Sequence, residues 1–196
     1  YKLNLREGKL REWYENGQLK LEIKYRKNKP YGNILFWDKN SREKFTGKSY
    51  MDNVNGNFFS WYDDSLFIIK EYFIKIGLKK QGKSTSWYRN GEKQNHGNFY
   101  LDKKEGKWIY WHDSGEKYAE KFFKKDTLNG TNTVWYKSGE KMIFENYDQG
   151  KKHGIHKSWY KNKQKKIEGE YSKGLMEGVW LSWFPNGKNK EMGSYE

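Results

Sequence analysis

The segment 77–84, which reads GLKKQGKS, satisfies the pattern G-x-x-x-x-G-K-[ST] of a phosphate-binding loop. In such a loop, backbone amides at the start of a helix hold the phosphate, and a buried parallel strand precedes them. Here the next segment, 85–91, reads TSWYRNG, which is typical of a β-strand that runs into a hairpin turn. We therefore interpret the match as accidental, and the sequence predicts no bound cofactor.

Two histidines, His153 and His156, lie close enough in sequence to begin a metal site. A structural zinc site needs four ligands and a catalytic site needs three plus water, whereas the chain has no Cys and no carboxylate cluster beside these histidines. The adjacent Asp63 and Asp64 are typical of a hairpin turn rather than of a glycosidase carboxylate pair. The residues thus indicate no metal site and no catalytic residues, so we expect a protein that is not an enzyme.

Lysine is the remaining residue type with functional chemistry, since the formal net charge is +14. Lysine pairs recur in the connecting segments between repeated units, with Lys27 and Lys29 as an earlier, spaced pair. The pairs predicted to form a basic rim are Lys79 and Lys80, Lys103 and Lys104, Lys124 and Lys125, and Lys151 and Lys152. A rim of cations attracts anionic lipid, nucleic-acid phosphate or an acidic protein, but exposed lysines also serve solubility alone.

A regular repeat must position these lysines. Tryptophan recurs every 24 residues, with one interval of 26, and a glycine precedes each tryptophan by five residues. The repeat tryptophans are Trp13, Trp37, Trp61, Trp87, Trp111, Trp135, Trp159 and Trp183. The repeats begin near Gly8, Gly32, Gly56, Gly82, Gly106, Gly130, Gly154 and Gly178. So regular a pattern predicts eight copies of one unit in a single repeat domain, 1–196.

Each unit is predicted to be a β-hairpin, because β-forming residues flank an Asn-Gly or similar turn pair. We expect a two-residue type I′ turn at Asn16 and Gly17, which pairs Tyr14 with Leu19, Trp13 with Lys20 and Gly8 with Tyr25. The tryptophan then lies on one face of the sheet and the late aromatic on the other. We expect this aromatic to cover the paired glycine, and about six residues to connect one hairpin to the next. In the second repeat we expect a bulge at Gly47.

The predicted fold is all-β, an elongated single-layer antiparallel sheet of about eight hairpin repeats. Aliphatic residues are scarce, but 10 Trp, 16 Tyr and 11 Phe can supply the buried surface instead. Polar residues accompany aromatics on both predicted faces, which favours one layer over a sandwich. Because Tyr1 has the phase of a late aromatic, we expect a cap or an earlier repeat upstream.

The segment 82–93, which reads Gly-x4-Trp-Tyr-x-Asn-Gly-x-Lys, and the segment 154–160, which reads Gly-x4-Trp-Tyr, resemble the bacterial MORN repeat variant family, which is often labelled an antitoxin component. The resemblance covers essentially the whole chain. It implies an elongated array of antiparallel hairpins. For function, it implies scaffolding, contact with a protein partner or a membrane surface, or neutralisation of a toxin.

Three functions follow as hypotheses. The first is a non-enzymatic scaffold, a monomer, that binds a protein partner through an aromatic-rich sheet and the basic rim. The second is an antitoxin or immunity protein that sequesters a toxin. The third is a secreted or cell-surface protein that contacts anionic membrane or glycan, and this location is slightly favoured over the cytoplasm. Nucleic acid is disfavoured, because its module signatures are missing and the aromatics lie at fold-specifying positions.

Overall fold

The computed structural model describes residues 5–50, 53–61, 68–75 and 79–196. All regular structure in these residues is β-strand, and they contain no helix long and apolar enough to cross a bilayer. The chain divides into two compact units: Tyr1–Gly91 with Phe99–Asp102, and Glu92–Asn98 with Lys103–Glu196. The strands follow chain order within each unit, and consecutive strands pair antiparallel as hairpins. The predicted all-β, hairpin-repeat fold is therefore confirmed, while the prediction of one domain stays a prediction.

The strands of the first unit are β1 (Gly8–Trp13), β2 (Leu19–Arg26), β3 (Lys29–Trp37), β4 (Glu43–Tyr50), β5 (Asn53–Trp61), β6 (Ile68–Lys75) and β7 (Lys79–Trp87). The next strand, β8 (Lys93–Tyr100), lies mostly in the second unit. It is followed by β9 (Lys103–Trp111), β10 (Lys117–Lys124), β11 (Thr127–Trp135), β12 (Lys141–Asp148), β13 (Lys151–Trp159), β14 (Lys165–Ser172), β15 (Leu175–Trp183) and β16 (Asn189–Tyr195).

The turns at the Asn-Gly positions have three residues, not two. In the first repeat the Tyr14 amide donates to the Gln18 carbonyl and the Gly17 amide donates to the Tyr14 carbonyl, both at 2.9 Å. Gly17 has a φ of 82°, whereas Asn16 is not among the residues with positive φ. This is a type I turn closed by a left-handed glycine. The predicted type I′ turn and the predicted pairing of Tyr14 with Leu19 are therefore wrong.

In the first repeat, an extra residue in the second strand restores the register that the longer turn shifts. Trp13 pairs with Leu19 and Glu12 pairs with Leu21, so Lys20 is left over as a bulge rather than opposite Trp13 as predicted. Beyond the bulge the predicted glycine–aromatic pairs are confirmed. They are Gly8 with Tyr25, Gly106 with Phe123, Gly130 with Tyr147, Gly154 with Tyr171, and Gly178 with Tyr195.

The connectors that the structure describes between hairpins are two-residue turns rather than segments of about six residues. Between β2 and β3, φ is 50° at Lys27 and 66° at Asn28. Positive φ at both central residues defines a type I′ turn, which favours Asn, Asp and Gly. The same geometry recurs at 101–102, 125–126, 149–150 and 173–174. Most of the paired lysines consequently belong to strands, immediately beside these turns.

The repeat glycines are needed for backbone conformation. Gly154 has a φ of 78° and lies in a three-residue bulge, 153–155, opposite Asn146 on the preceding strand. Positive φ recurs at Gly8, Gly32, Gly82, Gly106, Gly130 and Gly178. A β-carbon on Gly8 would meet no heavy atom within 4 Å, so no aromatic ring covers it. The left-handed conformation explains this glycine, and the prediction that a ring covers it is wrong.

Repeats two and three depart from the pattern of the other repeats. Gly47 pairs with Gly56 in a regular ladder and forms no bulge, contrary to the prediction. A β-carbon on Gly47 would lie 2.5 Å from the Phe45 ring, so close packing explains this glycine. Gly56 pairs with Ile74, one residue beyond the late aromatic Phe73. The Asp63–Asp64 turn, the Trp61 side chain and the first two residues of the 77–84 match lie outside the described residues.

The two faces of the sheets have different roles. We name the side that carries the repeat tryptophans the tryptophan face, and the side that carries late aromatics such as Tyr147 and Tyr171 the tyrosine face. The described hydrophobic side chains that are most buried are Leu21, Ile34 and Phe45 in the first unit and Trp108, Ala119 and Trp180 in the second. The register puts all six on the tyrosine face. The repeat tryptophan Trp13, by contrast, is 57% exposed.

Neighbouring repeats are joined at the turns by tyrosine hydroxyls. The residue after the repeat tryptophan reaches the carbonyl of the next repeat tryptophan, so each bond spans 23 residues of sequence. Tyr14 donates to the Trp37 carbonyl at 3.0 Å, Tyr136 to Trp159 at 2.9 Å and Tyr160 to Trp183 at 3.0 Å. These bonds stabilise the packing of one hairpin on the next.

Candidate functional site

Six of the eight predicted rim lysines follow one edge of the second unit. At this edge the amide of Asp126 donates to the Lys104 carbonyl at 3.0 Å, and the amide of Gly174 donates to the Lys152 carbonyl at 2.8 Å. Acids are interleaved with the lysines, since Asp126 also accepts from the Lys104 amide and Glu105 accepts from the Lys125 amide. The edge is therefore mixed in charge. The other two lysines, Lys79 and Lys80, begin β7 in the first unit.

The second lysine of a strand-opening pair turns inward over aromatic rings, while the first stays exposed. Lys80 Nζ lies 5.4 Å from the Phe99 ring centroid, and Lys152 Nζ lies 4.9 Å from that of Tyr171. The exposed members are Lys79, Lys103 and Lys151, together with Lys124 and Lys125 at the β10–β11 turn. The predicted rim thus consists of two sets of lysines, and only one set faces solvent along the edge.

Lys152 belongs to a buried polar cluster on the tyrosine face. Its Nζ donates to Glu145 Oε1 at 2.6 Å, and Tyr147 donates to Glu145 Oε2 at 2.8 Å. Asn132 donates to the same Oε2 at 3.2 Å, and His156 Nδ1 lies 3.1 Å from Oε1. Every lone-pair direction of this carboxylate is thus engaged, which is what a buried charge requires.

The cluster keeps Glu145 ionised. Burial would raise the pKa of Glu145, but the hydrogen bonds from His156, Lys152 and Tyr147 outweigh it and hold the pKa far below its ordinary value. An ionised carboxylate only accepts, so His156 must carry its proton on Nδ1 to bond here. Burial, and then the bond to Glu145, raises the pKa of Tyr147 to about 12. His156 is also stacked on Trp180, with ring centroids 5.5 Å apart.

Lys104 is the counterpart of Lys152 two repeats earlier, and its surroundings are aromatic. Its Nζ lies 4.6 Å from the Trp108 ring centroid and 5.1 Å from that of Phe123, and it donates to the Tyr110 hydroxyl oxygen at 3.0 Å. Lys121 Nζ lies 5.7 Å from the Tyr110 centroid. Neither ammonium forms an ion pair within the described part of the chain. We call Lys104, Lys121 and Tyr110 the lysine–tyrosine cluster.

Both regions rest on a tryptophan that lies flat on a glycine. A β-carbon on Gly97 would overlap the ring of Trp108, and one on Gly169 would overlap the ring of Trp180. In each case the indole N–H donates to the carbonyl of the residue after the glycine, at 3.1 Å for Trp108 and 3.2 Å for Trp180. The glycine–tryptophan pair is thus a local device that recurs in repeats five and eight.

On the tryptophan face of the second unit, four lysines pair with two glutamates. Glu168 accepts from Lys157 at 2.7 Å and from Lys165 at 2.6 Å, and these bonds hold its pKa below the ordinary value. Lys165 Nζ also lies 5.6 Å from the Trp183 ring centroid. Glu120 makes the equivalent contacts with Lys107 and Lys117, and Lys117 lies over Trp135. Each glutamate thus offsets part of the charge of two lysines, and these contacts stabilise the repeat stacking.

The described residues that were considered for catalysis or metal binding lie in strands. The 79–84 part of the phosphate-loop match lies in β7 rather than in a loop, and the strand predicted directly after the match is confirmed, since β7 runs on to Trp87. His156 is buried against Glu145, whereas His153 is exposed. In the described ranges, no three His, Asp or Glu side chains are grouped as metal ligands would be.

Sequence reasoning missed Lys121, Tyr110, Glu145 and Asn132. The available signal was the variation between repeats. Three residues before the repeat tryptophan, successive units carry Trp108, Asn132, His156 and Trp180. Ten residues after it stand Gly97, Lys121, Glu145 and Gly169. These two positions face each other across neighbouring strands. The residue types at the two positions change together from repeat to repeat, and these changes mark where the clusters differ.

Three segments of the chain match the family model described as MORN repeat variant. They are residues 6–27, 152–173 and 176–196. The matches support the resemblance to MORN repeats, and they do not extend to an antitoxin type. Two of them fall in the second unit, where the 152–173 match begins at Lys152. No curated protein matches the chain.

Proposed function

We propose that the chain is a non-catalytic MORN-repeat scaffold that binds a protein partner on the tyrosine face of its second unit. The observation that carries the proposal is a set of fixed but accessible rings. Tyr110 packs edge-on against Tyr118 with centroids 6.3 Å apart, and Tyr118 lies 5.4 Å from His112. Tyr118 is 36% exposed. Rings held in place by neighbours lose little entropy on binding, and aromatic residues are the usual anchors of interfaces.

The exposed lysines of the edge complement these rings by steering an acidic partner. Lys103, Lys124, Lys125 and Lys151 lie beside successive turns of one edge. At physiological salt the Debye length is roughly 8 Å, so their attraction reaches only a nearby partner and weakens as salt is added. We expect the lysines to change the association rate and the rings to change the dissociation rate.

Toxin neutralisation is the specific form of protein binding that the family resemblance implies. A toxin encoded next to this chain would be the first partner to test, by coexpression and copurification. Contact with anionic membrane or glycan is the rival, and the lysine edge is the surface that would make it.

The proposal is tested by quantitative capture from a lysate of the native cell, followed by reconstitution with the purified protein. The face variant is Tyr110→Ser with Tyr118→Ser. The edge variant is Lys124→Glu with Lys151→Glu. Its matched control is Lys137→Glu with Lys161→Glu, in the three-residue turns at the opposite edge of the sheet. We expect the face variant to lose the partner at every salt concentration. The edge variant should lose it more than its control does, and mainly at physiological salt.

Two results would contradict the proposal. In the first, the face variant retains the captured protein as well as wild type does. In the second, wild type captures no protein but binds phosphatidylglycerol vesicles, heparin or single-stranded DNA, and the edge variant loses that binding. Circular dichroism of each variant confirms that it is folded.

A further inference from the structure

The lysine–tyrosine cluster offers hydrogen-bond donors without an acceptor for them. Lys104 donates one N–H to the Tyr110 oxygen, which leaves the Tyr110 O–H without an acceptor among the described residues. Lys121 brings a second ammonium to within 5.7 Å of the same ring. Two like charges at one ring repel each other, and no described carboxylate compensates them. The cluster therefore has the composition of a site that is completed by an anion.

The same chain shows which anion suits this arrangement. Two repeats later, Lys152 at the equivalent place donates to one oxygen of Glu145, and the hydroxyl of Tyr147, which corresponds to Phe99 rather than to Tyr110, donates to the other. At Lys104 the position that corresponds to Glu145 is Gly97, and Trp108 fills the space above it. The internal carboxylate is thus excluded by packing, while the lysine that would bind it remains.

The rings around the cluster favour a carboxylate on a protein side chain over an anionic lipid surface. Lys104 lies between Trp108 and Phe123, with Tyr118 beside Tyr110, so the ammonium is half-buried between aromatic walls. A side chain flanked by apolar residues can enter between these walls. A bilayer surface, in contrast, meets first the exposed lysines of the edge, such as Lys103 and Lys124.

We infer that Lys104, Lys121 and Tyr110 form a binding site for one Asp or Glu side chain of a protein partner that docks on the tyrosine face. The inference rests on the proposed function and names the chemistry of the partner's anchor. An ammonium and a hydroxyl donating to a carboxylate form charge-assisted bonds, which are about twice as strong as neutral ones.

The direct test uses the capped peptide acetyl-Leu-Glu-Leu-amide and its Gln counterpart as probes. Binding is followed by NMR of the lysine ammonium groups and by Trp108-dependent fluorescence. We expect the Glu peptide to shift the NMR signals of the Lys104 and Lys121 ammonium groups. The Gln peptide should bind at least tenfold more weakly, which corresponds to a difference in binding free energy of about 1.4 kcal/mol. Lys104→Met and Lys121→Met should each reduce binding of the Glu peptide about tenfold.

The matched control is Lys103→Met, which removes the same charge from the neighbouring residue, an exposed lysine of the edge. It should bind the Glu peptide as wild type does. Tyr110→Phe removes the hydroxyl and keeps the ring, so it separates loss of a donor from loss of packing. Equal losses from Lys103→Met and Lys104→Met would overturn the site, because net charge would then explain them.

Three further outcomes overturn the inference. They are no response to the Glu peptide at millimolar concentration, tighter binding of inorganic phosphate than of the peptide, and binding of phosphatidylglycerol vesicles that depends on Lys104. Retention of the captured protein by the variants distinguishes failure of the carboxylate site from failure of the proposed function. A partner lost on Tyr110→Ser with Tyr118→Ser but kept on Lys104→Met sustains the scaffold and removes the carboxylate site. Peptide binding at Lys104 without any captured protein sustains the carboxylate site and removes the scaffold function.

Discussion

The surroundings of Lys104 and Lys152 differ although the repeat gives the two lysines the same place. Lys152 is neutralised within the fold by Glu145, whereas the contacts of the Lys104 ammonium with described residues are with aromatic rings and a tyrosine hydroxyl. In both regions a tryptophan lies on a glycine nearby. The comparison teaches that the repeat fixes where side chains project, and that single substitutions within it decide whether a lysine stabilises the fold or stays available for a ligand.

The largest effect should come from the feature that both regions share. Trp108→Ala and Trp180→Ala each remove a ring that is almost fully buried, at 2% and 7% exposure. Each should lower the free energy of unfolding by about 3–5 kcal/mol. Urea unfolding measures it, with the half-buried Trp111→Ala as control. A loss from Trp111→Ala as large as that from Trp108→Ala would show that the tryptophan face contributes as much to the core.

The two lysines themselves should differ in their contribution to stability. Lys152→Met leaves Glu145 buried with one charged partner fewer, and charged hydrogen bonds contribute about 1.5–3 kcal/mol. Lys104→Met removes no ion pair of the described residues but does remove the bond to Tyr110 and the cation–π contacts, while Met still packs on the rings, so the loss should be smaller, at about 0.5–1 kcal/mol. The same urea unfolding experiment compares them. Equal losses would mean that Lys104 is as structural as Lys152, which would weaken the case for a ligand there.

The next largest effect should be that of acidic pH, which should destabilise the region of Lys152 more than the region of Lys104. The folded-state pKa of Glu145 is lowered, so its stabilisation is complete above its ordinary pKa of 4.5 and is lost as the pH falls below it. The loss is at most about 1.4 kcal/mol per pH unit. Hydrogen exchange should show β12 and β13 losing protection before β9 and β10.

Two comparisons make the pH experiment specific to Glu145. Glu120 and Glu168 have equivalent places on the tryptophan face of the two regions, so their own titration affects both alike. Glu145→Gln should remove the difference between the regions. In alkali the sign is reversed, because the pKa of Tyr147 is raised from 10.0 to about 12, so its stabilisation is present below 10 and lost as the pH rises towards 12. An unchanged acid response in Glu145→Gln would exclude this carboxylate as the cause.

The smallest effect concerns the turns that border the two regions. Tyr160→Phe removes the hydroxyl bond to the Trp183 carbonyl and should cost about 1 kcal/mol. In the repeat of Lys104 the same position is His112, which has no hydroxyl to make such a bond. His112→Phe should therefore change stability less than Tyr160→Phe. Thermal unfolding of the two variants gives the comparison, and the reverse order would show that the hydroxyl bonds do not join the repeats.

The sequence alone determined the architecture, because repetition is a property that needs no coordinates. The spacing of Trp and Gly gave eight units, the turn pairs gave hairpins, and alternation gave two faces with the late aromatics opposite the tryptophans. The pairing of Gly8 with Tyr25 was also predicted, although for the wrong reason. The turn at Asn16 and Gly17 is one residue longer than expected, and the bulge at Lys20 cancels that difference.

Only the tertiary structure decided which residues matter within that architecture. The tryptophans that repeat most visibly lie on the half-exposed face, whereas Trp108 and Trp180, outside the repeat pattern, are buried. Lysines adjacent in sequence differ in their surroundings because successive residues of a strand point to opposite faces. Lys103 is exposed, for example, whereas Lys104 is half-buried. Whether a lysine meets a carboxylate depends on a residue some seven positions away on the neighbouring strand, as Lys152 and Glu145 show. Sequence spacing cannot reveal such a contact until the bulges and turns that set the register are known.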